Sequence, residues 1–379
     1  MTESGTSVLL VVKGLDIGGI ERIVVDVATG LRRRGVDVDV AVVNDRRDRL
    51  IPQLEQSGIS VLRLGGHDRV GLVPALRLAR LLRRGGHDVV HVHGPLPAVF
   101  VRVLAGRTPV VTTSHTLWGS LRPVTRLLWR ATSFRDAVCL AVSSAVVESL
   151  PKRVARRTAV MPHGIDIEAV ERARGHGGVR KSDGHVDAIC VASHRDAKNY
   201  PNLLHAVAEA RASAPSLRLI AVGDGPDESR HRRLAHDLGL DDIVRFEPAR
   251  LDVLDVMATA DLLVVASDFE GQPLVVMEAM ALGLPVVATA VGRVPELVGP
   301  SEGRMVPPGD SAALAAALIE MEGNPELRRT LGDRARAVSR SWSLDDVVTA
   351  HVAVYDGIVA ETRSSSKGPT GRRWRRSRR

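Results

Sequence analysis

Two carboxylates, Glu270 and Glu278, stand eight residues apart on either side of a Gly271-Gln272-Pro273 corner. An apolar run, residues 262–265, precedes the corner; a helical segment from Leu274 to Leu282 follows it, and Gly283 stops that segment. Another apolar run, residues 285–289, comes next, so the stretch reads as strand, turn, helix, strand. Runs that are apolar on both faces suit parallel strands covered by helices. The turn then falls at the carboxyl edge of the sheet, where open α/β folds bind ligands. Glu270 can point at whatever rests on the turn. Glu278, roughly one turn into the helix at ~1.5 Å per residue, can reach something lying across the helix start. The free N–H groups of that start favour an anion. Residue type and spacing leave a plainer alternative open, two ordinary surface acids.

Other positions invite chemistry. Gly18 and Gly19 fall between the apolar run 8–12 and a helix, with Glu21 and Arg22 following. A glycine pair there lets backbone approach a ligand closely, although the spacing is not that of a dinucleotide fingerprint. His115 follows the run 109–113 and so falls at a strand end, where a lone His is often a plain polar loop residue. His91 and His93 face the same way on one strand. Without an evident third ligand they are read as satisfying local hydrogen bonds, with His93 lining the cleft. Asp37 and Asp39 imitate a metal-binding Asp-x-Asp, but Val36, Val38 and Val40 alternate with them and turn the acids to the opposite face.

Glu270, Gly271, Pro273 and Glu278 match, without a gap, the paired-glutamate signature of the retaining GT-B glycosyltransferases of family four. The resemblance covers nearly the whole chain, to about residue 360. It implies two Rossmann-like domains facing each other across a cleft and transfer of a sugar with retention of configuration. The implied donor substrate is a UDP-sugar or GDP-sugar, with no cofactor and no metal. Gly18-Gly19-Ile20-Glu21-Arg22 resembles the family's N-terminal loop, whose amides lie near the donor diphosphate. His115 aligns with the family's active-site His, which contacts the donor sugar. Glu270 matches the acid on the sugar hydroxyls and Glu278 the acid on the ribose hydroxyls, and Gly271, Gln272, Pro273 and Leu274 complete the donor corner. A departing diphosphate needs fixed cations or amides where no metal serves. Lys198, followed by Asn199, matches the family's lysine in that role, giving His115, Lys198 and Glu270 as the implied catalytic set. The family's arginine is missing: Ser193 holds its place, and Arg195 is the substitute cation. Three more departures are His163 for the Asn of an interdomain Pro-Asn-Gly-x-Asp, Arg293 where a second Gly is common, and Glu247-Pro248-Ala249 near the expected nucleobase.

These residues need elements to hold them. At 379 residues the chain exceeds what one core usually serves, so two domains are expected. Strand-helix alternation over residues 1–171 and again over 186–341 predicts an α/β fold of two doubly wound parallel sheets. A polar, Gly-rich segment, 172–185, reads as the linker. A last helix at 342–361 is implied by the resemblance to cross back to the first domain, and 362–379 is expected to be disordered.

The formal charge is +8, but eight Lys or Arg and no acid lie beyond Thr362; removing those eight from 52 leaves 44 basic against 44 acidic residues. The body is therefore neutral, and nucleic acid ranks last among partners. The final eight residues hold six Arg and Trp374, which suits an anionic membrane surface. Arg122, Arg126 and Arg130 recur every fourth residue beside Leu128 and Trp129. Such a stripe is usually a solvated face; next to a basic tail it points to a lipid-linked or cell-envelope glycan acceptor met at the inner face of the membrane. No apolar run approaches a membrane span, the first is too short for a signal peptide, and Cys139 and Cys190 read as buried reduced thiols, so a cytoplasmic or peripheral protein is expected. Two competing functions remain: a sugar-nucleotide-binding protein of the same shape with weakened catalysis, suggested by Ser193 and His163, and a sugar-nucleotide epimerase.

Overall fold

Strands of Val, Leu and Ile with no polar face need a helix layer on each side. In the computed structural model, which describes residues 5–44, 48–66, 71–176 and 184–366, they have it. The first strand shows this directly. Val8, Leu10 and Val12 enter one apolar cluster, whereas Leu9 and Val11 enter another on the opposite face.

Strands β1 (Ser7–Val12), β2 (Asp37–Asn44), β3 (Ser60–Gly66), β4 (Val89–His93), β5 (Val110–Ser114), β6 (Asp136–Ala141) and β7 (Thr158–Val160) form a parallel sheet in the order β3-β2-β1-β4-β5-β6-β7. Strands β8 (Val186–Val191), β9 (Leu217–Val222), β10 (Val244–Glu247), β11 (Leu262–Val265), β12 (Val286–Thr289) and β13 (Gly303–Val306) form a second, ordered β10-β9-β8-β11-β12-β13. The order reverses between β1 and β4 in one sheet and between β8 and β11 in the other. Ligands of open sheets bind at such switch points. The loops leaving these four strands carry Gly18-Gly19, Gly94, Lys198 and Glu270.

The edge strand β13 has no sequence signal, because Gly303-Arg304-Met305-Val306 is neither an apolar run nor an alternation. Gly303 is required by packing: a Cβ there would collide with the Val286 carbonyl of β12.

Two segments depart from expectation. The stretch read as linker begins inside a helix, Ile167–His176. The Asp166 carboxylate caps it through the Ala169 amide at 2.9 Å, and it packs against the helices Val253–Thr259 and Leu274–Leu282. Val170 and Ala173, buried there, supply the apolar face that the surrounding Arg and Gly residues masked. Residues 177–183 lie outside the described residues. The last helix, Leu344–Ser366, continues past 361 into the segment read as disordered. Thr362 and Ser364 hydroxyls donate back to the Ile358 and Glu361 carbonyls within it; residues 367–379, with the Arg-rich end, are outside the described residues. This helix packs against the helix Gly19–Arg33 and β4 of the first lobe.

One buried ion pair fastens the outer layer of the first lobe. The Arg102 guanidinium, fully buried, donates to both Asp136 oxygens at 2.7 and 2.6 Å and to the Trp129 carbonyl at 3.2 Å. It also lies 4.4 Å from the centre of the Trp129 ring. Three elements therefore meet at one side chain: the helix Pro95–Leu104, the helix Pro123–Thr132 and β6. Removing one partner of such a pair strands the other charge. Arg102→Ala should lower unfolding free energy by about 3–5 kcal/mol in urea titration; a loss below about 1 kcal/mol would show that the pair does not hold these elements.

Candidate active site

The turn after β11 is built around a buried carboxylate. Glu270 Oε1 accepts from Ser267 Oγ at 2.7 Å and from Lys198 Nζ at 2.6 Å. Lys198 reaches it from a 3-10 turn, Asp196–Lys198, which follows β8. The two loops are tied by Asn199, a left-handed residue at φ +43°. Its side-chain oxygen caps the helix Tyr200–Ala210 through the Asn202 amide, and its nitrogen donates to Asp268 at 2.8 Å. Lys198, Asn199 and Glu270 are thus held as one unit. Arg195 is not part of it: its side chain is exposed and makes no hydrogen bond or ion pair among the described residues. Ser193, at the position expected for an arginine, is half-buried.

The helix Leu274–Leu282 begins at Pro273 and ends at Gly283, which takes φ +82°. Glu278 is buried on it, and burial pushes its carboxyl up to about 7, with Asp26 adding to the rise and Arg22 opposing it. Asp26 is itself pushed up to about 6 by burial. Arg22 and Asp26 belong to the helix Gly19–Arg33, so Glu278 faces the other lobe. At the start of that helix, nothing lies within 4 Å of where a Gly19 side chain would be. The first-turn amides there have no intrahelical partner, and a Cβ on Gly18 would stand 2.5 Å from the Glu21 carboxylate.

The lobes touch at the corner itself. A Cβ on Gly271 would stand 2.7 Å from the His115 carbonyl oxygen, so only glycine permits the approach. Gly292, at φ +54°, presses on the Glu270 carbonyl in the same way. Gln272 Oε1 accepts from the His163 backbone amide at 3.1 Å, and Gln272 Nε2 lies 3.1 Å from Met277 Sδ. Arg293 donates to the Val142 carbonyl of the first lobe at 3.2 Å.

His115 sits inside a chain of histidines. Its Nε2 pairs with His93 Nδ1 at 3.0 Å and its Nδ1 with His163 Nε2 at 3.2 Å. Burial holds His115 down to about 4 and keeps His93 and His163 well below the usual range, so all three are neutral at pH 7. Both His115 ring nitrogens are therefore spent on other imidazoles, and its backbone carbonyl is what meets the Gly271 corner. His91 instead pairs with the Tyr355 hydroxyl at 2.6 Å and with Thr113 Oγ1 at 2.7 Å. Among the described residues, no group of three or more His, Cys, Asp or Glu is arranged to hold a metal ion.

Arg49 carried no sequence signal. From the first lobe it donates to Asp16 of the glycine loop at 2.5 Å, to Asp224 of the second lobe at 2.7 Å and to the Ala249 carbonyl at 3.4 Å. Asp224 also accepts from the Ala249 amide at 2.7 Å. This strap crosses the mouth of the cleft beside Glu247-Pro248-Ala249. Arg122 precedes the helix Pro123–Thr132, and Arg126 and Arg130 lie on it; Arg122 and Arg130 are exposed and Arg126 is half-buried.

Two parallel α/β lobes closing on a switch-point cleft define a GT-B glycosyltransferase. The description "Glycosyltransferase Family 4" matches residues 17–169, and "Glycosyl transferases group 1" matches residues 176–338. The chain is 31% identical over 319 residues to an MMP alpha-(1->4)-mannosyltransferase of Mycolicibacterium hassiacum, covering 76% of this chain and 75% of that one. It is 26% identical to an N-acetyl-alpha-D-glucosaminyl L-malate synthase of Bacillus anthracis, over 77% and 81% of the two chains. The crystal structure of HepE from Anabaena in complex with UDP-glucose superposes with a TM-score of 0.75 at 24% identity, over 95% of this chain and 99% of that one. The chain belongs to the group 1 glycosyl transferases.

The raised Glu278 carboxyl has a thermodynamic consequence. Folded, it keeps its proton to a higher pH than the unfolded carboxyl near 4.5, so its contribution is full below that value and is lost as pH rises through about 7. Without ligand, the wild type should lose stability relative to Glu278→Gln between pH 5 and pH 8, by on the order of 1–3 kcal/mol in parallel denaturant titrations. Parallel pH profiles for the two proteins would contradict the burial of a protonated acid.

Proposed function

We propose that this glycosyltransferase takes a sugar from a UDP-sugar or GDP-sugar and transfers it with retention of configuration to a lipid-linked or cell-envelope glycan acceptor, without a metal. The observation that carries the reading is the Lys198–Glu270 pair, 2.6 Å apart on a corner that the other lobe covers. The UDP-glucose bound to the HepE neighbour supports a nucleotide-sugar donor.

The donor diphosphate would lie between Lys198 and the first-turn amides at Gly18-Gly19, where fixed positive charge meets charge developing on the leaving oxygen. Lys198 then exchanges a carboxylate partner for a phosphate, and the freed Glu270 accepts from sugar hydroxyls. Glu278, with its proton held by burial, can either donate to or accept from the ribose hydroxyls. Paired carboxylates in retaining hydrolases act as acid and nucleophile. Here Glu270 and Glu278 hold the donor instead. The acceptor attacks from the face that the diphosphate leaves, and a departing phosphate oxygen takes its proton. The Arg195 side chain, with no hydrogen bond or ion pair among the described residues, can swing toward the diphosphate. The Arg-rich end would keep the protein on the inner face of the membrane; no helix among the described residues is long and apolar enough to cross it.

A panel of nucleotide sugars screened by thermal shift identifies the donor, because ligand at about 100-fold over its Kd adds ~2.7 kcal/mol. With that donor, Glu278→Ala should raise Kd about 2- to 10-fold, the loss of one hydrogen bond to a neutral acid. Lys198→Ala should lower kcat by about 100- to 1,000-fold with a smaller change in Kd. Folded variants with unchanged kinetics would remove the assignment. Donor binding without transfer or slow donor hydrolysis would favour a binding protein, and epimerised donor with no free nucleotide would favour the isomerase.

A further inference from the structure

The helix Pro123–Thr132 faces solvent with its apolar side. Only Trp129 is buried on it. Val124, Leu127, Leu128 and Ala131 follow the i, i+3, i+4, i+7 spacing of one helical stripe, and all four are exposed, Val124 and Leu127 at 68%. Eleven large apolar residues are exposed among the described residues, and five of them gather here, since Val103 and Phe134 lie on elements that pack against this helix. A patch of this kind on an otherwise well-buried protein marks an interaction surface.

Charge says what covers it. From Val89 to Arg135 the sequence has no Asp or Glu, and Arg102 is the buried partner of Asp136. The remaining cations, Arg107, Arg122, Arg126, Arg130 and Arg135, therefore meet no acid within this stretch. Arg126 and Arg130 border the apolar stripe on one side. An apolar strip edged by arginines, too short to span a bilayer, is the pattern of a helix lying in a lipid interface.

We propose that the outward face of this helix docks on an anionic lipid bilayer, with Val124, Leu127, Leu128 and Phe134 entering the headgroup boundary and the arginines pairing with lipid phosphates. A crevice lined by Trp118, Leu121 and Trp129 leads from the foot of this helix to His115. A lipid-linked acceptor held at the bilayer would be presented on this side of the first lobe. That last link rests on the transferase reading; the docking itself does not.

The test uses the full chain and vesicles of phosphatidylcholine with about 30% phosphatidylglycerol. The tail is controlled by replacing Arg372, Arg373, Arg375, Arg376, Arg378 and Arg379 with Ser. This tail variant should still sediment with the vesicles, and adding Val124→Asp and Leu127→Asp should lower the bound fraction about tenfold or more. Both substitutions lie on exposed positions, so thermal midpoints should hold. Val124→Cys carrying an environment-sensitive dye should shift to the blue on anionic vesicles and stay unchanged on neutral ones. The proposal is overturned if the tail variant alone loses binding, if the aspartates leave binding unchanged, or if the dye does not respond. It is also overturned if the face instead forms a dimer that the aspartates disrupt. Stabilisation by the nucleotide sugar, measured on the same variants, should be unaffected, which separates a failure of docking from a failure of the donor assignment.

Discussion

The second lobe meets the first at a place where neither has a side chain. Gly271 rests against the His115 carbonyl, and Gly292 allows the Glu270 backbone to lie where it does. Any Cβ at Gly271 would hold the lobes apart or displace the strand end that carries His115. Around that bare contact the polar bridges fall into place: Gln272 to the His163 amide, Arg293 to the Val142 carbonyl and, at the cleft mouth, Arg49 to Asp224. Each bridge alone is a modest interaction. Their geometry depends on the approach that the glycines permit.

Closing the lobes buries groups that would otherwise be charged, and the cleft answers by holding charge close to zero. Three imidazoles are neutral, Lys198 neutralises Glu270, and Glu278 and Asp26 share the neighbourhood of one arginine with their carboxyls pushed toward the protonated form. A neutral chain of three imidazoles has one N–H on each ring and two bonds to make between them, so one N–H is left over at an end. The ends are His93 Nε2 and His163 Nδ1, both buried without a partner. The lysine at this corner is therefore already paired, and the arginine beside it, Arg195, unpaired among the described residues, is exposed.

Much of this was legible in the residues. The corner from Ser267 to Gly283 was readable because its strand is apolar, its turn has Gly and Pro, and its helix stops at a glycine; the helix bounds Leu274–Leu282 agree with the expectation residue for residue. That Lys198 and Glu270 share one site was implied by family resemblance alone; with 72 residues between them, their direct pairing had no sequence signal. Arg49 was invisible because an arginine in a polar loop looks like any solvated cation, and only its three partners on two lobes distinguish it. His115 was placed correctly at a strand end, but which of its atoms faces the cleft depended on His93 and His163, which no spacing links to it. The helix Ile167–His176 was missed because only Val170 and Ala173 mark its buried face.

The departures from the family pattern bear on whether this site has decayed. A site that drifts after losing its function accumulates side chains without partners, whereas most of the unusual residues here are engaged. His163 completes the imidazole chain and offers its amide to Gln272. Arg293 spans the lobes and pairs with Glu296 at 2.8 Å. Ala249, in the altered loop near the cleft mouth, exchanges hydrogen bonds with Asp224 and Arg49. Ser193 and Arg195 are the exception, with no side-chain hydrogen bond or ion pair among the described residues, so the case against decay rests on the residues that bridge the lobes.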